Sequence, residues 1–171
     1  MNVYKCGVLK HPYGKKTSII VALWDKWGDE MIEHFDTIYT RNKGATNDDF
    51  KNLYAWLRGQ NFPSQVVPED YKTLISESNG GIFLYGEREY QFLALEEVIE
   101  YYDLYHFSEF MPFAYPFAMD GCGNFYIFNM RYDDASVYAV CAGDMGWEED
   151  ECYFVANSFK ECLSQPKHWD E

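Results

Sequence analysis

Asp120-Gly121-Cys122-Gly123-Asn124 gathers a carboxylate, a thiol and a carboxamide within one short stretch. A thiol beside a carboxylate suits nucleophilic chemistry only if a base such as histidine joins it. The four histidines, His11, His34, His106 and His168, share no local motif with a serine, cysteine or metal pattern. The five cysteines (6, 122, 141, 152 and 162) contain no CxxC pair. They lack the close spacing of a structural zinc site and the local signature of a cysteine nucleophile. No catalytic residue, metal or cofactor is therefore expected. The stretch reads better as a turn. Asp120, Gly121, Gly123 and Asn124 tolerate left-handed backbone angles, and the two Asx side chains can accept hydrogen bonds from turn amides. Phe125-Tyr126-Ile127-Phe128, aromatic or β-branched throughout, favours strand on its C-terminal side.

A second concentration of polar groups is acidic. Asp144, Glu148, Glu149, Asp150 and Glu151 surround Trp147 in a segment, residues 142–151, that reads as a loop. Tyr132, Asp133 and Asp134 extend the patch if the strand ends lie together. An aromatic anchor beside charges has the composition of a binding hot spot, although a run of charge is also what a solvated face looks like. The net charge is −14, and it is uneven. Residues 1–45 carry seven Lys/Arg against five Asp/Glu, whereas residues 46–171 carry seven against 23. Such a field repels nucleic acid and anionic membranes and steers basic partners inward. Direct nucleic-acid and membrane binding are read as excluded, and a protein partner as favoured.

A chain of 171 residues fits one domain with a sizeable core. Its 19% aromatic content is high and rests largely on 15 tyrosines, each carrying a hydroxyl that needs a partner when buried. The longest apolar run, residues 19–24, is far too short to span a bilayer. No signal-peptide pattern is present, so reduced thiols and a cytoplasmic location are expected.

The elements that must carry these residues follow from spacing. Residues 17–23 have strand character, and Trp27, Met31, Phe35 and Ile38 fall at helical intervals, with a hairpin turning at residues 25–29 as the alternative. Asn42-Lys43-Gly44 reads as a linker. Thr46-Asn47-Asp48-Asp49 is a capping-box pattern ahead of the stripe Phe50, Leu53, Tyr54 and Leu57. Pro68-Glu69-Asp70 opens a second helix, which Asn79-Gly80-Gly81 stops. Residues 82–85 and 90–93 form a predicted hairpin with its turn at residues 86–89. Residues 95–104 read as a helix, 107–113 as irregular, 135–141 as a strand and 153–155 as a short one. Asn157 or Ser158 caps a last helix running to about residue 164. Residues 165–171 read as a frayed tail.

The order of these signals resembles a known family. Pro68-Glu69-Asp70-Tyr71-Lys72 followed by Ser78-Asn79-Gly80-Gly81 resembles the P-x-D-Y-k … N-G-G signature of the SUKH superfamily, the Smi/Knr-like domain. Pro116-Phe117-Ala118, Asp120-Gly121, and Gly123-Asn124-Phe125-Tyr126 resemble its central strand motif. Val137-Tyr138 and Asn157-Ser158-Phe159 with Cys162-Leu163 resemble its last strand and helix. The match covers about residues 46–164, leaving residues 1–45 as an N-terminal extension of strand plus helix. The resemblance implies a single α+β domain with a mixed, mainly antiparallel β-sheet flanked by helices. It also implies the role of bacterial members, immunity proteins that bind and neutralise a toxin, often a nuclease or deaminase. Eukaryotic relatives regulate cell-wall synthesis through protein contacts, so a regulatory scaffold is an alternative. A small-molecule site in an aromatic cleft beside residues 113–117 is another.

Overall fold

The computed structural model of the protein describes residues 31–132 and 135–169. Thr46 starts its first α-helix in the manner its sequence pattern predicts. The Thr46 N–H donates to Asp49 Oδ2 at 2.7 Å, and the Asp49 N–H donates back to Thr46 Oγ1 at 3.3 Å. This reciprocal box satisfies two amides that the helix itself leaves unpaired. The helix, α1 (Asn47–Gly59), buries Phe50, Leu53 and Leu57. Next comes α2 (Glu69–Glu77), which buries Tyr71, Leu74 and Ile75. The remaining helices are α3 (Leu95–Leu104), α4 (Phe107–Phe110) and α5 (Phe159–Leu163).

The strands are β1 (Thr37–Arg41), β2 (Gly81–Tyr85), β3 (Arg88–Phe92), β4 (Ala114–Met119), β5 (Asn124–Asn129), β6 (Val137–Cys141) and β7 (Cys152–Ala156). Among the described residues they form one seven-stranded sheet whose spatial order is the chain order. Every pairing is antiparallel. With helices packed on this sheet, the domain is α+β. One sheet face presents Phe92, Phe117 and Phe128 to Tyr71 of α2 and Phe159 of α5. On the other, Phe125 meets Tyr101 of α3, Tyr105 at its C-cap and Phe107 of α4. The alternation Phe125/Tyr126/Ile127/Phe128, fully buried throughout, is what a strand covered on both faces needs.

Several elements differ from the sequence expectation. The helical spacing ending at Ile38 does not make a helix. Met31–His34 is a single 3-10 turn and Thr37–Arg41 is the edge strand β1. Both edge geometry and exposure explain the misreading, since four of the five β1 residues are exposed and no inward face marks the period. Trp27, residues 17–23 and residues 25–29 lie outside the described residues. The β2–β3 turn is tighter than expected: Gly86 and Glu87 alone form it, and Arg88 belongs to β3. Gly86 has φ 59°, the placement of glycine in a two-residue hairpin turn. Residues 107–110 form α4 rather than irregular chain. The segment after α5 is not frayed as far as Trp169, because the Glu87 N–H donates to Pro166 O at 2.7 Å and Arg88 Nε donates to Lys167 O.

Gly81 shows how closely β1 is held. It sits at φ 135°, and a Cβ there would lie 2.5 Å from Thr40 O. Gly81→Ala is expected to cost roughly 3 kcal/mol, combining backbone strain with displacement of β1. Urea denaturation checks this: a loss below about 1 kcal/mol would mean that β1 does not press on Gly81.

Candidate functional site

Asp120 is buried, at 5% exposure, and its carboxylate is committed to the β4–β5 turn. Oδ1 accepts the Cys122 N–H at 2.8 Å and the Asn124 N–H at 3.0 Å, while Oδ2 accepts Asn124 Nδ2 at 2.6 Å. Gly121 and Gly123 take φ 74° and 93°, which glycine adopts without a Cβ penalty. His168 Nε2 lies 3.8 Å from Asp120 Oδ2. Cys122 is disulfide-bonded, whereas Cys141, Cys152 and Cys162 are free thiols. The expectation of an all-thiol set therefore fails at Cys122. Burial pushes the Cys162 thiol up to about 11, the opposite of what an activated nucleophile needs. Among the described residues no group of three or more His, Cys, Asp or Glu is placed to hold a metal ion.

The other motif residues also have structural tasks. Asp70 Oδ2 accepts the Lys160 N–H at 3.0 Å, so α2 caps the first turn of α5 across 90 positions of sequence. Tyr71 is fully buried with its hydroxyl 3.3 Å from that of Tyr115. Asn79 Oδ1 accepts the Leu95 N–H at 2.9 Å, serving the start of α3, where the N-cap position is Ala94 and offers no side-chain acceptor. Gly80 (φ 87°) brings the chain so close to Ala94 N that a Cβ would lie 2.9 Å away. Beside the expected aromatic cleft at residues 113–117, Tyr115 and Phe117 are fully buried.

The acidic segment is built differently. It folds back along β6 instead of projecting. Trp147 Nε1 donates to Pro112 O at 3.1 Å. The Trp147 ring meets Tyr138 edge-on at 6.0 Å. The Arg131 guanidinium stacks on the Trp147 ring at 3.6 Å and lies 5.7 Å from the Tyr132 ring. The fold thus brings Tyr132 beside the acidic segment through Arg131, a residue that sequence reasoning passed over. Asp133 and Asp134 lie outside the described residues. Trp147 itself is half-buried and already engaged, while Tyr132 is 63% exposed.

The five acids of the segment divide. Glu151 turns inward: its Oε2 accepts the Glu148 N–H at 3.1 Å, and it packs where a side chain on Gly146 would stand. Asp144, Glu148, Glu149 and Asp150 remain exposed. Next to them, edge strand β7 exposes Tyr153 and Phe154, at 51% and 54%, and Phe154 meets Tyr138 at 5.6 Å. These two were also missed. A usable signal was present: adjacent residues of a strand point to opposite faces, so two consecutive aromatics on an edge strand need not both be core.

No helix among the described residues is long and apolar enough to cross a membrane. No curated protein sequence matches the chain. The family model described as the SMI1 / KNR4 family (SUKH-1) matches residues 44–165, which takes in both helix-capping motifs, the β4–β5 turn and strands β2 to β7. The chain belongs to the SMI1 / KNR4 family (SUKH-1).

Proposed function

We propose that the protein is a non-catalytic immunity protein that neutralises a basic, nuclease-type toxin by direct binding. The observation that carries this reading is the exposed rim of Asp144, Glu148, Glu149 and Asp150 beside the aromatic surface of Tyr132 and Phe154. A nuclease domain presents cations to the phosphates of its substrate. A rigid acidic rim competes for those cations and accelerates encounter, while adjacent exposed aromatics supply apolar contact area. Occlusion by such a surface needs no chemistry, in keeping with the structural commitments of Asp120 and Cys162.

The test is capture of a cognate toxin domain by the full chain, followed by replacement of Asp144, Glu148, Glu149 and Asp150 with lysine. Glu151 is left intact because it caps the loop. Affinity at low salt is expected to fall by roughly 100-fold or more, with most of its salt dependence lost. Unchanged affinity and salt slope would remove the acidic rim from the interface. Failure of the chain to protect cells from any toxin encoded beside it would overturn the immunity role itself.

A further inference from the structure

The segment after α5 lies against the β2–β3 turn and borders an open cavity of about 400 Å³ lined by Arg88, Phe154, Gln165, Lys167, His168 and Trp169 among others. Arg88 is only 2% exposed. Its Nε donates to Lys167 O, Nη1 to Cys162 O at 3.3 Å and Tyr90 Oη at 3.4 Å, and Nη2 to Gln165 Oε1 at 2.9 Å. Every one of these acceptors is neutral. A buried cation is ordinarily met by an anion, and none of the Arg88 partners is a carboxylate. A guanidinium has five N–H donors, so these four bonds leave one Nη2 hydrogen uncommitted.

Trp169 lines the same pocket. Trp169 Nε1 is buried and has no hydrogen-bond partner, an arrangement that costs free energy unless an acceptor arrives. His168 lies 3.8 Å from Asp120 Oδ2, so its ring already has a carboxylate nearby. The argument therefore rests on the guanidinium and the indole N–H. Phe154, Val155 and the Trp169 ring give the cavity apolar walls, and its volume suits a small molecule.

We propose that this cavity binds a small oxyanion carried on an apolar body, its carboxylate or phosphate accepting from Arg88 Nη2 and Trp169 Nε1. The site shares Phe154 with the aromatic surface proposed above but includes none of the rim acids, and it does not depend on toxin binding. In a chain of net charge −14, the buried Arg88 guanidinium is the local charge that favours an anion over a neutral isostere.

Titration calorimetry on the full chain with benzoate, phenyl phosphate and benzamide tests this. At least one of the two anions is expected to bind with Kd of about 1 mM or tighter, and the stronger one identifies the head group. Benzamide, which matches benzoate in shape without its charge, is expected to give no binding heat. Trp169→Phe should weaken the anion about fivefold, the loss of one hydrogen bond, and Arg88→Gln should abolish binding. Should Arg88→Gln prevent folding, Trp169→Phe decides alone. Absence of binding by both anions, equal binding of benzamide, or an unchanged affinity in Trp169→Phe would each overturn the proposal.

Discussion

Phe117→Ala is expected to remove about 4 kcal/mol of folding stability, the largest effect of any single substitution considered. Phe117 is fully buried, and its ring lies 4.3 Å from Phe128, 5.5 Å from Phe159, 5.9 Å from Tyr71, 6.1 Å from Tyr126 and 6.3 Å from Phe92. Those five rings come from two strands, β3 and β5, and two helices, α2 and α5. Truncation therefore opens a void that no single element can close by shifting. Aromatic walls are too stiff to collapse into it. A domain of ordinary stability, about 5–15 kcal/mol, would be left near its threshold. Phe117→Leu should lose less than half as much, because most of the volume is kept. Urea midpoints of the two variants decide the matter. A loss for Phe117→Ala below roughly 1 kcal/mol would show that this ring is not where the two layers meet.

Raising pH above about 9 is expected to destabilise the protein progressively. Burial raises the pKa of Cys162 from 9.0 to about 11 and also raises those of Tyr71, Tyr90 and Tyr115. In each case the neutral, protonated form is the one the fold holds. Above the ordinary value the unfolded chain releases a proton that the folded chain keeps, so the unfolded state binds fewer protons and stability falls with pH. The contribution is fully present below the unfolded pKa and lost as pH rises through the folded one. For Cys162 alone this amounts to about 3 kcal/mol between roughly pH 9 and pH 11. The three tyrosines add to the loss beginning near pH 10. Urea unfolding at successive pH values should show the decline. Cys162→Ala, which has no thiol to ionise, should flatten its first part. A curve flat to about pH 11 would mean that these hydroxyls and the thiol are not sealed from water.

Much of this architecture is legible in local chemistry. Thr46 and Asp49 announce α1 because a capping box is a short-range device, complete within one turn. The β4–β5 hairpin is similarly written in Asp120, the two glycines and Asn124, whose hydrogen bonds stay within five residues. What escaped is whatever depends on distant partners. Arg88 looks like a turn charge beside Gly86 and Glu87. Only the docking of residues 162–167, more than 70 positions later, makes it a buried cation. Edge strand β1 escaped because Ile38 and Tyr39 are both largely exposed, so hydrophobicity alone carries no inward period there. Within the acidic segment, composition marked the charges but not their division. The inward turn of Glu151 depends on the bare Cα of Gly146, and the covering of Trp147 depends on Arg131.

Strand order that follows chain order bears on how the molecule is made. During synthesis each new strand emerges beside an edge already laid down; four of the six pairings (β2–β3, β4–β5, β5–β6 and β6–β7) close short loops at little entropic cost, whereas β1–β2 and β3–β4 close over helices. The long-range closures come last. Lys160 must reach Asp70, and Pro166 and Lys167 must reach Glu87 and Arg88, before α2 and the β2–β3 turn acquire their partners. A nascent chain from which residues 160–167 have not yet emerged would thus carry the complete ladder but an unlatched one. Residues 160–167 are a clasp, and the domain locks only when they have closed on α2 and the β2–β3 turn.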